Sequence, residues 1–297
     1  VVSNSVLAKI GEEGKVCIYT LVETDMIADV NSDVAADGSP VPVSPARVVD
    51  TREGEETADG LFAGKGPIPA GGTLELLVAG RGGVPADATA VTMNLGAVLP
   101  AGPGFLTVYP CGEDQPLASS VNYDGTDVVS NSVTAAIGTA GTVCIYSLVE
   151  TDIIAGVNGY VPSNGTPDPL VPARLLETRA GENTVDGQFE GEGRAAAGST
   201  TELLVAGRGG VPADASTVVL NVASILPSGP GFLTIFPCGE DQPLASSVNY
   251  DGGDVISNSV FAKVGDDGKV CIYTLVETDI IADVTAASAP PVPHRES

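Results

Sequence analysis

Apolar residues along this chain fall in short runs that alternate with polar positions, and the runs are broken by Gly, Pro, Asp and Asn. A period near two, together with enrichment in Val, Ile, Leu and Thr, is the pattern of half-buried β-strands, and helical periodicity is nearly absent. Between 172 and 287 the pattern predicts strands at about 173–179, 201–206, 216–226, 232–237, 246–250, 255–264, 269–276 and 279–286. Within "DIIADV", Ile280, Ala282 and Val284 share one face. Eight short strands suit an all-β fold, a jelly-roll-like β-sandwich, with a β-trefoil or propeller-like arrangement as the alternative. "TVVLNVASILPSGPGFLTIF" and "SNSVFAKVGDDGKVCIY" each read as strand, turn, strand, so two related hairpins are expected in every unit.

The same pattern recurs along the chain. "LVETD" begins at 21, 148 and 275, and "LLVAGRGGVPADA" begins at 76 and 203, so the spacing is 127 residues each time. "CGEDQPLASSVNYDG" at 111–125 returns at 238–252, and "PARVVDTR" at 45–52 becomes "PARLLETR" at 172–179. Self-similarity at a fixed period marks a repeat architecture. Residues 45–162 and 172–287 read as full β repeats, and 35–44 and 163–171, rich in Pro, Gly, Ser and Asp, as linkers. Residues 1–34 read as the last part of a preceding repeat, with strand runs at 4–10 and 15–30, and 288–297 as a tail or the start of a next repeat.

This organisation accounts for an odd number of cysteines. Cys111 is expected to pair with Cys144, and Cys238 with Cys271, while Cys17 aligns with the second member of each pair and stands unpaired or bonded to another chain. Disulfides imply an oxidising compartment. Aromatic residues make up only 4% of the chain and Trp is absent, so the core is aliphatic and a covalent tie matters more than usual.

Charge narrows the partners. Thirteen Lys and Arg against 38 Asp and Glu give a net charge of −25, which disfavours nucleic acid because phosphate binding needs a basic footprint. No uninterrupted apolar run is long enough for membrane insertion as a helix. The acidity makes calcium conceivable as a cofactor, with Asp124, Asp127, Asp251 and Asp254 around the "NYDG" turns as candidate ligands. The plainer reading of those turns is an Asp-Gly hairpin with no cofactor at all. The glycine-flanked Arg81 and Arg208 in "GRGGVP" are expected to tie a tight turn to a carboxylate. Arg47, Arg52, Arg174 and Arg179 are expected to form similar ion pairs, with Asp50 and Glu177 as partners. Asn94, Asn221, Asn131 and Asn258 read as satisfied buried amides. The single histidine, His294, lies in the tail, so no repeat holds the base that Ser or Cys nucleophiles need.

The motifs resemble a family of tandem repeats in secreted and cell-surface proteins of Gram-positive bacteria. The resemblance rests on "PARLLETR" (172–179), "GRGGVP" (207–212), "VVLNV" (218–222), "GFLTIFPCG" (231–239) and "SVN" (247–249). It continues through "SNSVFAKVG" (257–265), "KVCIY" (269–273) and "VNGY" (157–160), and the chain departs from it after Val284 with "TAAS". It implies location and architecture, and it carries no catalytic residue.

These observations set three functional expectations. The first is a non-catalytic extracellular structural repeat protein, part of a surface stalk, fibre or filament built by stacking or strand-sharing with copies of itself or further repeats. The second is a carbohydrate-binding or cell-wall-targeting module, although sugar sites usually stack on aromatics that are scarce here. A hydrolase is the third and the least supported.

Overall fold

Alternation in one central strand decides the first sheet. Strand β3 (Ala90–Val98) sends Val91, Met93, Leu95 and Ala97 into the core, where none is exposed to solvent. It is flanked antiparallel by β6 (Val128–Ala136) and β8 (Asp152–Val161), and β8 also pairs with β1 (Val41–Asp50). A second sheet of β2 (Thr73–Leu77), β7 (Thr142–Ser147), β4 (Gly104–Pro110) and β5 (Val121–Tyr123) lies across it. Leu76, Leu106, Val108, Val143 and Ile145 from this sheet share the same core. The orders β1-β8-β3-β6 and β2-β7-β4-β5 make an antiparallel jelly-roll sandwich. The fold is therefore a sandwich, not a trefoil or a propeller.

The computed structural model describes residues 4–8, 10–23, 25–26, 28, 30, 40–125, 128–165 and 167–288. A second sandwich follows the first with the same strand order. Its strands are β9 (Asp168–Glu177), β10 (Thr200–Leu204), β11 (Thr217–Ile225), β12 (Gly231–Pro237), β13 (Val248–Tyr250), β14 (Val255–Lys263), β15 (Lys269–Thr274) and β16 (Asp279–Ser288). They form sheets β9-β16-β11-β14 and β10-β15-β12-β13. Each strand starts 127 residues after its counterpart, for example 217 − 90 and 269 − 142. Ile280, Ala282 and Val284 join one core, while Ile281 on the opposite face of β16 packs with Ala223 and Ile225.

Three expectations change. First, β1 and β9 begin at Val41 and Asp168, inside the stretches read as linkers. Both are edge strands, where Pro42, Pro45, Pro169 and Pro172 interrupt no interior ladder. Second, the expected hairpins are not hairpins: β11 and β12 lie in different sheets, as do β14 and β15, so each turn carries the chain across the sandwich. Third, the described residues of 4–30 contain no strand, despite their strand-like pattern. Their counterparts β6, β7 and β8 pair with β1 to β4 and never with one another. Without those partners, no ladder can form. Only the local turn persists: the Gly11 amide donates to the Lys15 carbonyl at 2.8 Å, as Gly138 does to Thr142 at 2.9 Å.

The two expected disulfides, Cys111–Cys144 and Cys238–Cys271, join β4 to β7 and β12 to β15 just beyond or within the paired strands, and Cys17 is free and exposed. The turn beside each needs glycine. A Cβ on Gly138 would lie 2.2 Å from the Cys111 carbonyl oxygen, while the adjacent Thr139 amide donates to that oxygen at 2.8 Å. Each bridge spans 33 residues, so reduction is expected to lower each sandwich's stability by about 4 kcal/mol in the chain-entropy model. Denaturant midpoints with and without reductant check this; coincident curves would count against it.

Candidate inter-repeat interface

The densest polar chemistry outside the two cores lies where one sandwich meets the next. Asn131 sits in edge strand β6 of the first unit and is 1% exposed. Its Nδ2 donates to the Ser120 carbonyl at 2.8 Å and to Asn221 Oδ1, across the interface, at 2.7 Å. Its Oδ1 accepts the Ser259 amide of the second unit at 2.9 Å. Asn221 completes the exchange by donating Nδ2 to the Ser119 carbonyl at 2.7 Å. A buried amide with its donors and acceptor engaged fixes register, because a one-residue slip would strand all of them. Asn131, Asn221 and Asn258 are the buried, hydrogen-bonded amides expected, with Asn131 and Asn221 lying between the two units, whereas Asn94 is exposed.

A charge is buried beside this network. Asp283 in β16 has no exposed surface. It accepts the Ser119 amide at 2.7 Å and the Ser119 hydroxyl at 3.1 Å from the first unit, and Arg174 Nε at 2.9 Å from its own. Arg174 also reaches Glu177, which Arg179 clamps through two side-chain donors. In the first unit the counterpart of Asp283 is Gly156. There Arg47 and Arg52 both bond Asp50, and Arg47 stays 43% exposed where Arg174 is 8% exposed. Burial pushes the Asp50 carboxyl up, and the hydrogen bonds and charges of Arg52 and Arg47 outweigh it, so its pKa lies below the ordinary value.

Arg81 and Arg208 work within a unit. Arg208 donates to both carboxylate oxygens of Asp186 at 2.8 and 2.7 Å and to the carbonyls of Leu204 and Leu175. Its guanidinium lies 4.9 Å from the Phe189 ring centre. Arg81 repeats this with Asp59, Leu77, Val48 and Phe62. One planar cation thus organises a loop that lacks regular structure of its own. The carboxylate of this pair, and the Asn131 partners Asn221 and Ser259, went unread because they lie 22, 90 and 128 residues away in sequence.

Three of the four calcium candidates lie among the described residues. Asp124 and Asp251 are exposed and Asp254 is half-buried, while Asp127 lies outside the described residues, as does His294. Among the described residues there is no group of three or more His, Cys, Asp or Glu side chains placed to hold a metal. The turns beside them are also not hairpins: β5 pairs with β4 and not β6, so the chain crosses between sheets. Gly125, at φ 105°, is required there because a Cβ would lie 2.9 Å from the Gly102 backbone.

Between the units runs a groove of about 650 Å³, lined by Pro116, Leu117, Leu170, Val171, Pro172, Ala173, Val185, Gly209 and Gly210. No helix among the described residues is long and apolar enough to cross a membrane. No family model matches the chain, and no curated protein matches it. The crystal structure of YhhW from Escherichia coli aligns over 74% of this chain and 80% of that one, at 10% identity and a TM-score of 0.20.

Two measurements test this geometry. Asp283→Ala is expected to cost about 3 kcal/mol, because Arg174 and the Ser119 amide lose a buried acceptor together. Asp50→Ala in the first unit, which bonds nothing across an interface, is expected to leave the Asn131 contact intact by NMR. The second concerns pH. Hydrogen bonds from Arg81 and Arg208 hold the Asp59 and Asp186 carboxyls at about 2, below the ordinary 3.8. A depressed folded pKa stabilises above the unfolded value, so this contribution is complete above about pH 4 and is lost as pH falls through about 2. The double variant Asp59→Asn, Asp186→Asn should flatten stability across that window; an unchanged slope would assign acid lability elsewhere.

Proposed function

We propose that the protein is a non-catalytic, extracellular structural repeat protein whose sandwiches pack side by side through polar, register-specific contacts. The observation that carries this reading is the Asn131–Asn221 exchange, in which one repeat completes the hydrogen bonding of the next. Two disulfides point to a non-cytoplasmic, oxidising compartment, and the cell surface is the location the repeated motifs favour. High negative charge keeps such a surface component soluble and self-repelling outside its specific contacts.

Glycan binding is the competing reading, and the inter-repeat groove is its natural location. Its lining of Pro, Leu, Val, Ala and Gly offers no aromatic face for a sugar ring. The test is a cell-wall pulldown and glycan array on the disulfide-intact chain, with hydrolysis assays on peptidoglycan and chitin beside it. Neither retention nor turnover is expected. Saturable glycan retention abolished by Leu117→Asp would replace the structural reading, and turnover lost on changing one carboxylate would overturn it.

A further inference from the structure

Three equivalent segments carry "SNS": 3–5, 130–132 and 257–259. Asn131 of the first unit is held by Asn221 and the Ser259 amide of the second. Asn4 makes the same two contacts one unit earlier, donating to Asn94 Oδ1 at 2.7 Å and accepting the Ser132 amide at 2.8 Å. Asn258 then accepts the Ser5 amide at 2.8 Å. The contact passes from the opening segment to the first unit, on to the second, and back to the opening segment. A head-to-tail contact that returns to its start describes a ring.

The third place in that ring is incompletely filled, and both of its walls are more open than their twins at the first interface. On the second unit, Leu244 is 106% exposed where Leu117 is 51%. On the first unit, Pro45 and Arg47 are exposed and Ala46 half-buried where Pro172, Ala173 and Arg174 are buried, and Asn94 is exposed where Asn221 is 4% exposed. Asn158 is 6% exposed, and its Oδ1 has no partner among the described residues. Its counterpart Thr285 lines the small cavity between the units with Ser120 and Ser132. Within the opening segment Val6 and Ile18 are 68% and 60% exposed, against 3% and 0% for Val133 and Ile145.

We infer that the repeats close as a pseudo-threefold ring, and that its third place belongs to a complete jelly-roll repeat of this same kind, joined ahead of the Asn4 segment and using residues 4–30 as its last strands. That repeat would cover Arg47 with a loop like 116–120, set its own opening strand against Leu244, and give Asn158 and Asn258 the partners that the first interface supplies. The inference does not depend on the protein being non-catalytic.

The test begins with the 297-residue chain. By hydrogen exchange, the Ser5 amide should be protected independently of concentration, and Asn258→Ala should speed its exchange at least tenfold. Protection that is absent, or that appears only as concentration rises, overturns the ring in favour of an open row or a second copy. The second arm joins a copy of residues 41–127 ahead of Val1, which restores a seamless repeat because "VVSNS" follows at both 1 and 128. In that chain Cys17 should bond the copied Cys111, and segments 45–47 and 243–250 should exchange as slowly as 172–174 and 116–123. Cys17 bonded, with those two segments still exchanging fast, would mean that a completed repeat folds without closing the ring.

Discussion

A primary amide buried on an edge strand is the constraint from which the rest of the arrangement follows. Asn131 offers two donors and one acceptor site with almost no access to water, and its own sandwich meets only one of these, through the Ser120 carbonyl. Leaving the remainder unmet would cost about 1–3 kcal/mol per group. The neighbouring repeat that covers Asn131 also meets them, with Asn221 and the Ser259 amide, so the outer face of β6 is buried with its hydrogen bonds made. An apolar contact of the same area would stick without fixing register. The amide exchange stabilises one alignment.

Edge strands make this constraint useful. In each sandwich β1 or β9 and β6 or β14 lie at the ends of one sheet, where unpaired backbone invites aggregation. Prolines in β1 and β9 remove donors from one edge, and the asparagine exchange occupies the side chains near the other. The second unit shows the result: β9 is buried from Pro172 to Glu177, and β11 and β16 are buried on both faces. Inside each unit the work falls to different groups. An aliphatic core supplies burial, a disulfide ties β4 to β7, and an arginine over a phenylalanine ring orders the long loop between β1 and β2.

Much of this was legible in the sequence. Seven of the eight strands of the second unit lie within two residues of their expected places, and only β9 starts well before its own, because period-two alternation and Gly/Pro breaks act locally. Cysteine pairing followed from two cysteines in each repeat. What escaped was the non-local part. Whether β11 and β12 pair or cross the sandwich is a choice of partner, and strand pattern carries no record of it. The described residues of the strand-like run at 15–30 form no strand for the same reason: alternation reports a capacity to pair, and it names no partner. The asparagines were noticed, yet a buried amide within a unit and one between units leave the same trace in sequence.

Closure at three also bears on how a single sequence can build an assembly without running away. A heterologous contact propagates indefinitely unless the rotation between units brings the last face back to the first. Here the rotation is set by where Asn131 and Asn221 lie on their strands, and the same pair of positions, Asn4 with Asn94, recurs one unit earlier. Asp283 adds a distinction between otherwise equal places: it anchors Ser119 at one interface, whereas Gly156 offers no carboxylate at the preceding one. The Gly156/Asp283 difference is one of the features, with Asn158/Thr285, that make near-identical repeats inequivalent. The buried charge gains little net stability after desolvation, and removing its partners would leave it uncompensated.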